Sequence, residues 1–145
     1  MADTGSLVRQ HDEIVALFAE LASHEHDQDI MDNAMALSLT LSQLAAKMYF
    51  HILAEERILY SALLLNKSES VLAKCGKYSA EMDNIVQKFR RYRAAYSRAS
   101  KIIARPDKFR LNTALVATVI IKRFENEQLG LYPILERLCR NYHDL

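Results

Sequence analysis

The chain has 145 residues, half of them hydrophobic, and a formal net charge of +1. That length suffices for one core and leaves little for a second, so residues 1–145 read as a single domain. Near-neutrality removes any general attraction to nucleic acid or acidic membranes, and three glycines, two prolines and no tryptophan argue against the frequent turns of an all-β chain.

The first helix is expected over about residues 6–24, with Leu7, His11, Ile14, Phe18 and Leu21 on its inward stripe. The polar cluster at 24–29 interrupts the apolar period and reads as a solvated connection, so His24 and His26 are not taken as ligands. A second helix follows over about residues 30–66. Its stripe of Leu37, Leu41, Leu44, Met48, His51, Glu55, Ile58, Ala62 and Leu65 alternates in steps of four and three, the spacing of a face turned toward a helical partner. Ser68 is the expected N-cap of a long, regular third helix whose stripe is Val71, Cys75, Tyr78, Met82, Ile85, Phe89, Tyr92, Tyr96, Ala99 and Ile103. The tyrosines supply core area there, and each hydroxyl needs a partner. Arg105, Pro106 and Asp107 break the pattern, with Asp107 a candidate cap. The fourth helix starts near Lys108 and aligns Phe109, Thr113, Val116, Ile120, Arg123, Glu127, Gly130 and Ile134, and Pro133 kinks or ends its regular part. Long amphipathic segments joined by short loops imply an all-α fold, an antiparallel up-down-up-down four-helix bundle.

Residues 1–9 lack the apolar core of a signal peptide and no run of about 18 apolar residues exists, so the expected location is cytoplasmic, with no membrane partner. Cys75 and Cys139 form no zinc-type pair and read as reduced thiols, Cys75 as a packing residue. His143 reads as surface. The chain has no Gly-rich phosphate loop and no GxSxG elbow, so it is not expected to be an enzyme. Lys88, Arg90, Arg91, Arg93, Arg98, Lys101 and Arg105 form a basic run without an acidic residue. It reads as a solvated face complementing the helix dipole, or as a docking surface for an acidic protein partner at Lys88, Arg91 and Arg98. Aromatic residues are not interleaved on that outer face, so nucleic acid is not an expected partner.

His51 and Glu55 interrupt an apolar stripe where ionisable groups are costly unless bound or paired. One turn apart on one face, they can converge on a single point. The segments HILAEERILY and RFENEQLGLYP share a local pattern: aligning Tyr60 with Tyr132 places Arg123 under His51 and Glu127 under Glu55. In a bundle, His11, His51, Glu55, Arg123 and Glu127 would meet in one polar layer, which demands a metal, hydrogen bonds or ion pairing, and Tyr78 lies within reach of it. Imidazole and carboxylate ligands suit non-haem iron, manganese or zinc.

Taken together, QHDEI around His11, HILAEERILY with His51 and Glu55, and ENEQLGLYPILE with Glu127 resemble the hemerythrin-like family with its HHE cation-binding domain. The resemblance covers nearly the whole chain and implies a four-helix bundle around a two-iron site that responds to dioxygen, nitric oxide or iron. It also implies two histidines that are missing, since the corresponding slots hold Met82 and Arg123. Methionine is a poor ligand for hard iron, and a guanidinium has no lone pair to give. What remains is at most a mononuclear site for one non-haem iron or another divalent ion, held by His11, His51 and Glu55 with Glu127 as a fourth ligand or a base beside it. The function expected is binding or sensing of a small diatomic ligand. The alternatives are a metal-free layer, with Arg123 in the electrostatic role of the ion and the bundle serving as a regulatory interaction module, and, less favoured, a mononuclear iron oxidase.

Overall fold

The computed structural model describes residues 4–65 and 68–143, apart from the side chains of residues 62, 63, 65 and 139–143. The elements are α1 (Thr4–Leu21), α2 (Asp27–Asp32), α3 (Ala34–Leu65), α4 (Glu69–Ala95), α5 (Ala99–Ala104), α6 (Pro106–Asn126), a π-helical turn (Glu127–Leu131) and α7 (Tyr132–His143). Each of α1, α3, α4 and α6 packs on the next and α6 returns to α1, so the long helices form a closed ring of neighbours, as a helical bundle requires. The short α2 and α5 pack on one another and on α3 and α6. Among the described residues no helix is long and apolar enough to cross a membrane.

The expected stripes supply the core. All five inward residues of α1 are buried, as are Leu37, Leu41, Leu44, Met48, His51 and Glu55 of α3. Two apolar clusters result. One holds Ile14, Phe18, Leu44, Met48, Phe89, Ile120 and Phe124; the other holds Leu7, Leu59, Cys75, Leu131, Tyr132 and Leu135. His11 on α1, His51 and Glu55 on α3, and Glu127 in the π-turn fall between these clusters in chain order, so this part of the polar layer has hydrocarbon on both sides. Cys75 is buried and free, and desolvation raises its thiol pKa.

Several boundaries differ from the sequence expectation, the first being the connection read at 24–29, whose last three residues open α2. The second helix is broken at Asn33, whose side-chain amide donates to the Asp29 carbonyl at 2.8 Å, a local bond that competes with the helical ladder. The third is broken between α4 and α5. Tyr96 leaves helical geometry there, its phenol oxygen taking a 2.6 Å hydrogen bond from Asn112, and Arg98 is extended. This shifts the register, so Ile102 is fully buried while the expected Ile103 is 42% exposed. Helix α6 starts on Pro106, which suits the first turn because its missing amide hydrogen has no helical partner, and Arg105 rather than Asp107 takes the N-cap position. Finally, near Pro133 the regular α-helix does stop, at Asn126, but the chain widens into the π-turn and continues as α7. The expected helix end at Asn66 and the side chains of Ala62, Leu65, Cys139 and His143 lie outside the described residues.

The core tyrosines find partners for their hydroxyls. Tyr92 and Thr113, both buried, are joined at 2.7 Å between α4 and α6. Tyr92→Phe should therefore cost about 1 kcal/mol by stranding the Thr113 hydroxyl, and adding Thr113→Val should restore part of that loss. Urea denaturation of the single and double variants measures this, and equal stability of all three proteins would contradict it.

Candidate metal centre

Between the two apolar clusters α1 contributes His11, α3 contributes His51 and Glu55, α6 contributes Arg123, and the π-turn begins with Glu127. All five are buried, with none more than 4% exposed. One ligand atom from each of His11, His51, Glu55 and Glu127 can be chosen so that all lie within 4.8 Å of one another. His11 Nε2 lies 3.1 Å from Glu127 Oε1, and His51 Nε2 lies 3.2 Å from Glu55 Oε2. Ligands bound at about 2.1 Å and at right angles sit about 3 Å apart, and opposite ligands about 4.2 Å apart. The observed spread fits one ion after a contraction of a few tenths of an ångström.

Outer partners aim both imidazoles. The Gln10 carbonyl oxygen lies 2.8 Å from His51 Nδ1, so that nitrogen carries a hydrogen and Nε2 faces the carboxylates. Gln128 stands 3.1 Å from His11 Nδ1, and Phe124 stacks on the His11 ring with centroids 3.8 Å apart. Placed as a donor, the Gln128 amide leaves the His11 proton on Nε2, directed at Tyr132; turned over, the same amide accepts from Nδ1 and frees Nε2 for a metal.

The polar layer is short of well-aligned hydrogen bonds. His51 Nε2, Arg123 Nε and Nη1, and both carboxylate oxygens of Glu127 are buried without one, although each has a complementary atom within 3.6 Å. Buried polar atoms are rarely left this way, and their convergence fits a cation-binding set. Arg123 reaches Glu55 at 3.4 Å, Glu127 at 3.2 Å and, toward the surface, the half-exposed Glu81 at 3.6 Å. Its guanidinium also lies 5.1 Å from the centre of the Tyr78 ring.

The two acids divide their roles. Burial pushes Glu127 up, the neighbouring Glu55 adds to this by hydrogen bond and charge, and together they outweigh Arg123 despite its proximity, so Glu127 holds its proton up to about 10. Burial also opposes ionisation of Glu55. There the close polar contacts of His51 and Glu127, with the positive charge of Arg123, prevail and hold its carboxyl down to about 2. His11 is pushed down to about 3, first by burial, then by the His51 and Arg123 charges, and is neutral at physiological pH.

Met82 and Arg123 occupy the slots where histidines were expected. Met82, 6% exposed, shares with Glu55, Leu59 and Arg123 a cavity of only about 10 Å³, room for a water molecule at most. What Met82 and Arg123 withhold is ligands: a thioether is a poor donor to hard iron and a guanidinium has no lone pair to give. Tyr78 borders Arg123 and places its hydroxyl 3.4 Å from the Asn126 carbonyl; Gly130 makes room for it, because a side chain at that position would collide with the Tyr78 oxygen. His24 is partly exposed and His26 exposed in the connection before α2, away from the layer.

Sequence reasoning missed Gln10, Gln128, Phe124 and above all Tyr132. The Tyr132 hydroxyl lies 2.9 Å from His11 Nε2 and donates to Glu55 Oε2 at 2.9 Å. In an α-helix five residues turn through about 500°, leaving positions i and i+5 about 140° apart. Tyr60, five residues after Glu55 in regular helix, is accordingly 65% exposed. Tyr132, five residues after Glu127, is 3% exposed, because the wider π-turn, closed by the Tyr132 amide on the Glu127 carbonyl, brings it back to the inward face. The signal available was Pro133, which cannot donate an amide hydrogen four residues back and so loosens the ladder there.

Two expectations follow for the metal-free protein. Glu127 binds its proton up to about 10 when folded and up to only 4.5 when unfolded, so stability should fall as pH rises across that interval. On the acid side His11 takes a proton at 6.5 when unfolded and only at about 3 when folded, so stability should also fall as pH drops through that window. Urea midpoints recorded in chelator against pH should show both limbs, and Glu127→Gln should flatten the alkaline limb above 6.5, where His11 no longer titrates in either state; an unchanged alkaline limb would contradict the protonated acid. Arg123→Met should cost about 3 to 5 kcal/mol at neutral pH, because Glu55, rather than Glu127, is left as an unpaired buried charge. A loss below about 1 kcal/mol would mean that His51 and Tyr132 balance Glu55 unaided.

Comparison with known proteins bears on the same residues. Neither the curated proteins nor the solved structures return a match. The model of the hemerythrin HHE cation-binding domain matches residues 3–136, a span that contains all four candidate ligands. With that coverage, and with a helical bundle that buries a His and Glu cluster, the chain belongs to the hemerythrin family of HHE cation-binding domains.

Proposed function

We propose that this protein holds a single metal ion, iron or another divalent cation, on His11, His51, Glu55 and Glu127, and that it binds or senses rather than catalyses. The observation that carries this reading is the convergence of four buried ligand atoms within 4.8 Å beside a second slot that Met82 and Arg123 leave without a good ligand for hard iron. When bound, the ion supplies a Lewis-acid centre with a position for a small ligand and, if iron, a one-electron couple. The side chains do the rest. Phe124 and the flanking apolar clusters keep water out, Gln10 and Gln128 aim the imidazoles, and Arg123 supplies the fixed positive charge that a second ion would otherwise bring. The adjoining cavity of about 10 Å³ has no room for an organic substrate and none for a free diatomic molecule, so dioxygen or nitric oxide would have to take a position on the ion itself, and iron is the other species the site suits.

A second reading has its own observation. A groove of about 410 Å³ between α4 and α6 is lined by Ile85, Tyr92, Leu115 and Val119, with Lys88 and Arg91 along it. Apolar walls with basic residues suit an acidic amphipathic segment of a protein partner. Arg98, at the start of α5, is exposed and lies apart from the residues lining the groove.

Elemental analysis separates the readings. Protein purified without chelator or tag-borne metal should carry close to one ion per chain, His51→Ala should lose it, and added ferrous iron should raise the melting temperature of the apoprotein, since a ligand of the folded state stabilises it. Absence of both metal and thermal shift would discard the metal reading and leave the groove.

A further inference from the structure

The Tyr132 oxygen stands where an ion would find it. It lies 2.9 Å from His11 Nε2 and 2.9 Å from Glu55 Oε2. The other close pairs of the set, His11 with Glu127 and His51 with Glu55, are separated by 3.1 and 3.2 Å. All four separations match neighbouring corners of one coordination polyhedron with bonds of about 2.1 Å. The oxygen is thus placed as a further corner of the same set by the π-turn, whereas the counterpart Tyr60, on the regular helix α3, is exposed.

We propose that Tyr132 is a fifth protein ligand, binding the ion through its phenolate oxygen. This inference rests on the one-ion reading above and makes the centre a mixed histidine, carboxylate and tyrosinate site suited to ferric iron. As the oxygen to metal bond forms, the phenol O–H bond breaks and the proton leaves to solvent. The Glu55 oxygen that accepted that hydrogen bond is freed to bind, and the His11 proton passes from Nε2 to Nδ1, where the turned-over Gln128 amide accepts it, so that the Nε2 lone pair would face the ion. Burial and the charges of Glu55 and Glu127 push the Tyr132 phenol far above its ordinary range, so it is the charge of the ion that lets it ionise there. Arg123 already places a positive charge beside Glu55 and Glu127, so a trivalent ion would leave the buried layer with excess positive charge, which an anionic phenolate lowers. The hard phenolate oxygen also matches a ferric ion better than it matches softer divalent metals.

Ferric phenolate centres absorb in the visible through ligand-to-metal charge transfer and enhance tyrosinate ring modes in resonance Raman spectra. The apoprotein is loaded anaerobically with one equivalent of ferrous ammonium sulfate, oxidised with ferricyanide and desalted, and its iron content is measured alongside its spectrum. The wild type should hold one iron, show the visible band and display the ring modes; Tyr132→Phe should keep the iron and lose both signatures. Tyr78→Phe, which changes the tyrosine beside Arg123, should keep the band. Iron bound by the wild type without a band, or a band surviving in Tyr132→Phe, overturns the tyrosinate while leaving the one-ion site. Failure of the wild type to bind iron overturns both. If Tyr132→Phe does not fold, the wild-type and Tyr78→Phe spectra decide, since a missing wild-type band alone refutes the assignment.

Discussion

Two carboxyl groups, Glu55 and Glu127, are enclosed in a layer with hydrocarbon above and below, and the charge they carry has to be matched inside that layer. Leaving an ionised carboxylate unpaired there costs several kcal/mol, enough to decide whether a bundle of this size folds. Without metal the protein meets the demand by keeping one proton on Glu127, one negative charge on Glu55 and one positive charge on Arg123. A bound cation would meet it in another way, taking the place of that proton and drawing on lone pairs that make no well-aligned hydrogen bond within the layer.

The surrounding architecture follows from that requirement. The inward stripes of α1 and α3, and that of α6 continued through the π-turn, are apolar up to the layer and apolar again beyond it, so the polar residues are fixed in height by packing on both sides. Arg123 is only 4% exposed and does not snorkel to water. Under the one-ion reading, Arg123 and Met82 bring a guanidinium and a thioether to the positions where the family resemblance implies histidines, which keeps a positive charge there without offering a ligand for hard iron. Gln10 and Gln128 can each accept or donate, so the imidazoles can change tautomer without moving.

The helical stripes and the identity of the polar layer were legible in the sequence, because both depend on spacing along regular helix. His11, His51, Glu55, Arg123 and Glu127 lie on rows three and four residues apart, and regular helix brings them to one level. What could not be read are the places where the helix departs from that period. The breaks at Asn33 and Tyr96 are made by side-chain hydrogen bonds that no propensity reports. The π-turn after Glu127 shifts everything beyond it, and so hid Tyr132, which on straight-helix reasoning points outward as Tyr60 does. The protonation of Glu127 was equally out of reach, since it depends on distances between groups on different helices.

The central claim is that one ion, and not two, belongs between His11, His51, Glu55 and Glu127. An anomalous difference map at the iron edge, from crystals grown with excess ferrous iron, tests it most directly. The account predicts a single peak within bonding distance of those four side chains, with none between Met82 and Arg123. A pair of peaks bridged by Glu55 and Glu127, or no peak in the layer at all, would contradict it.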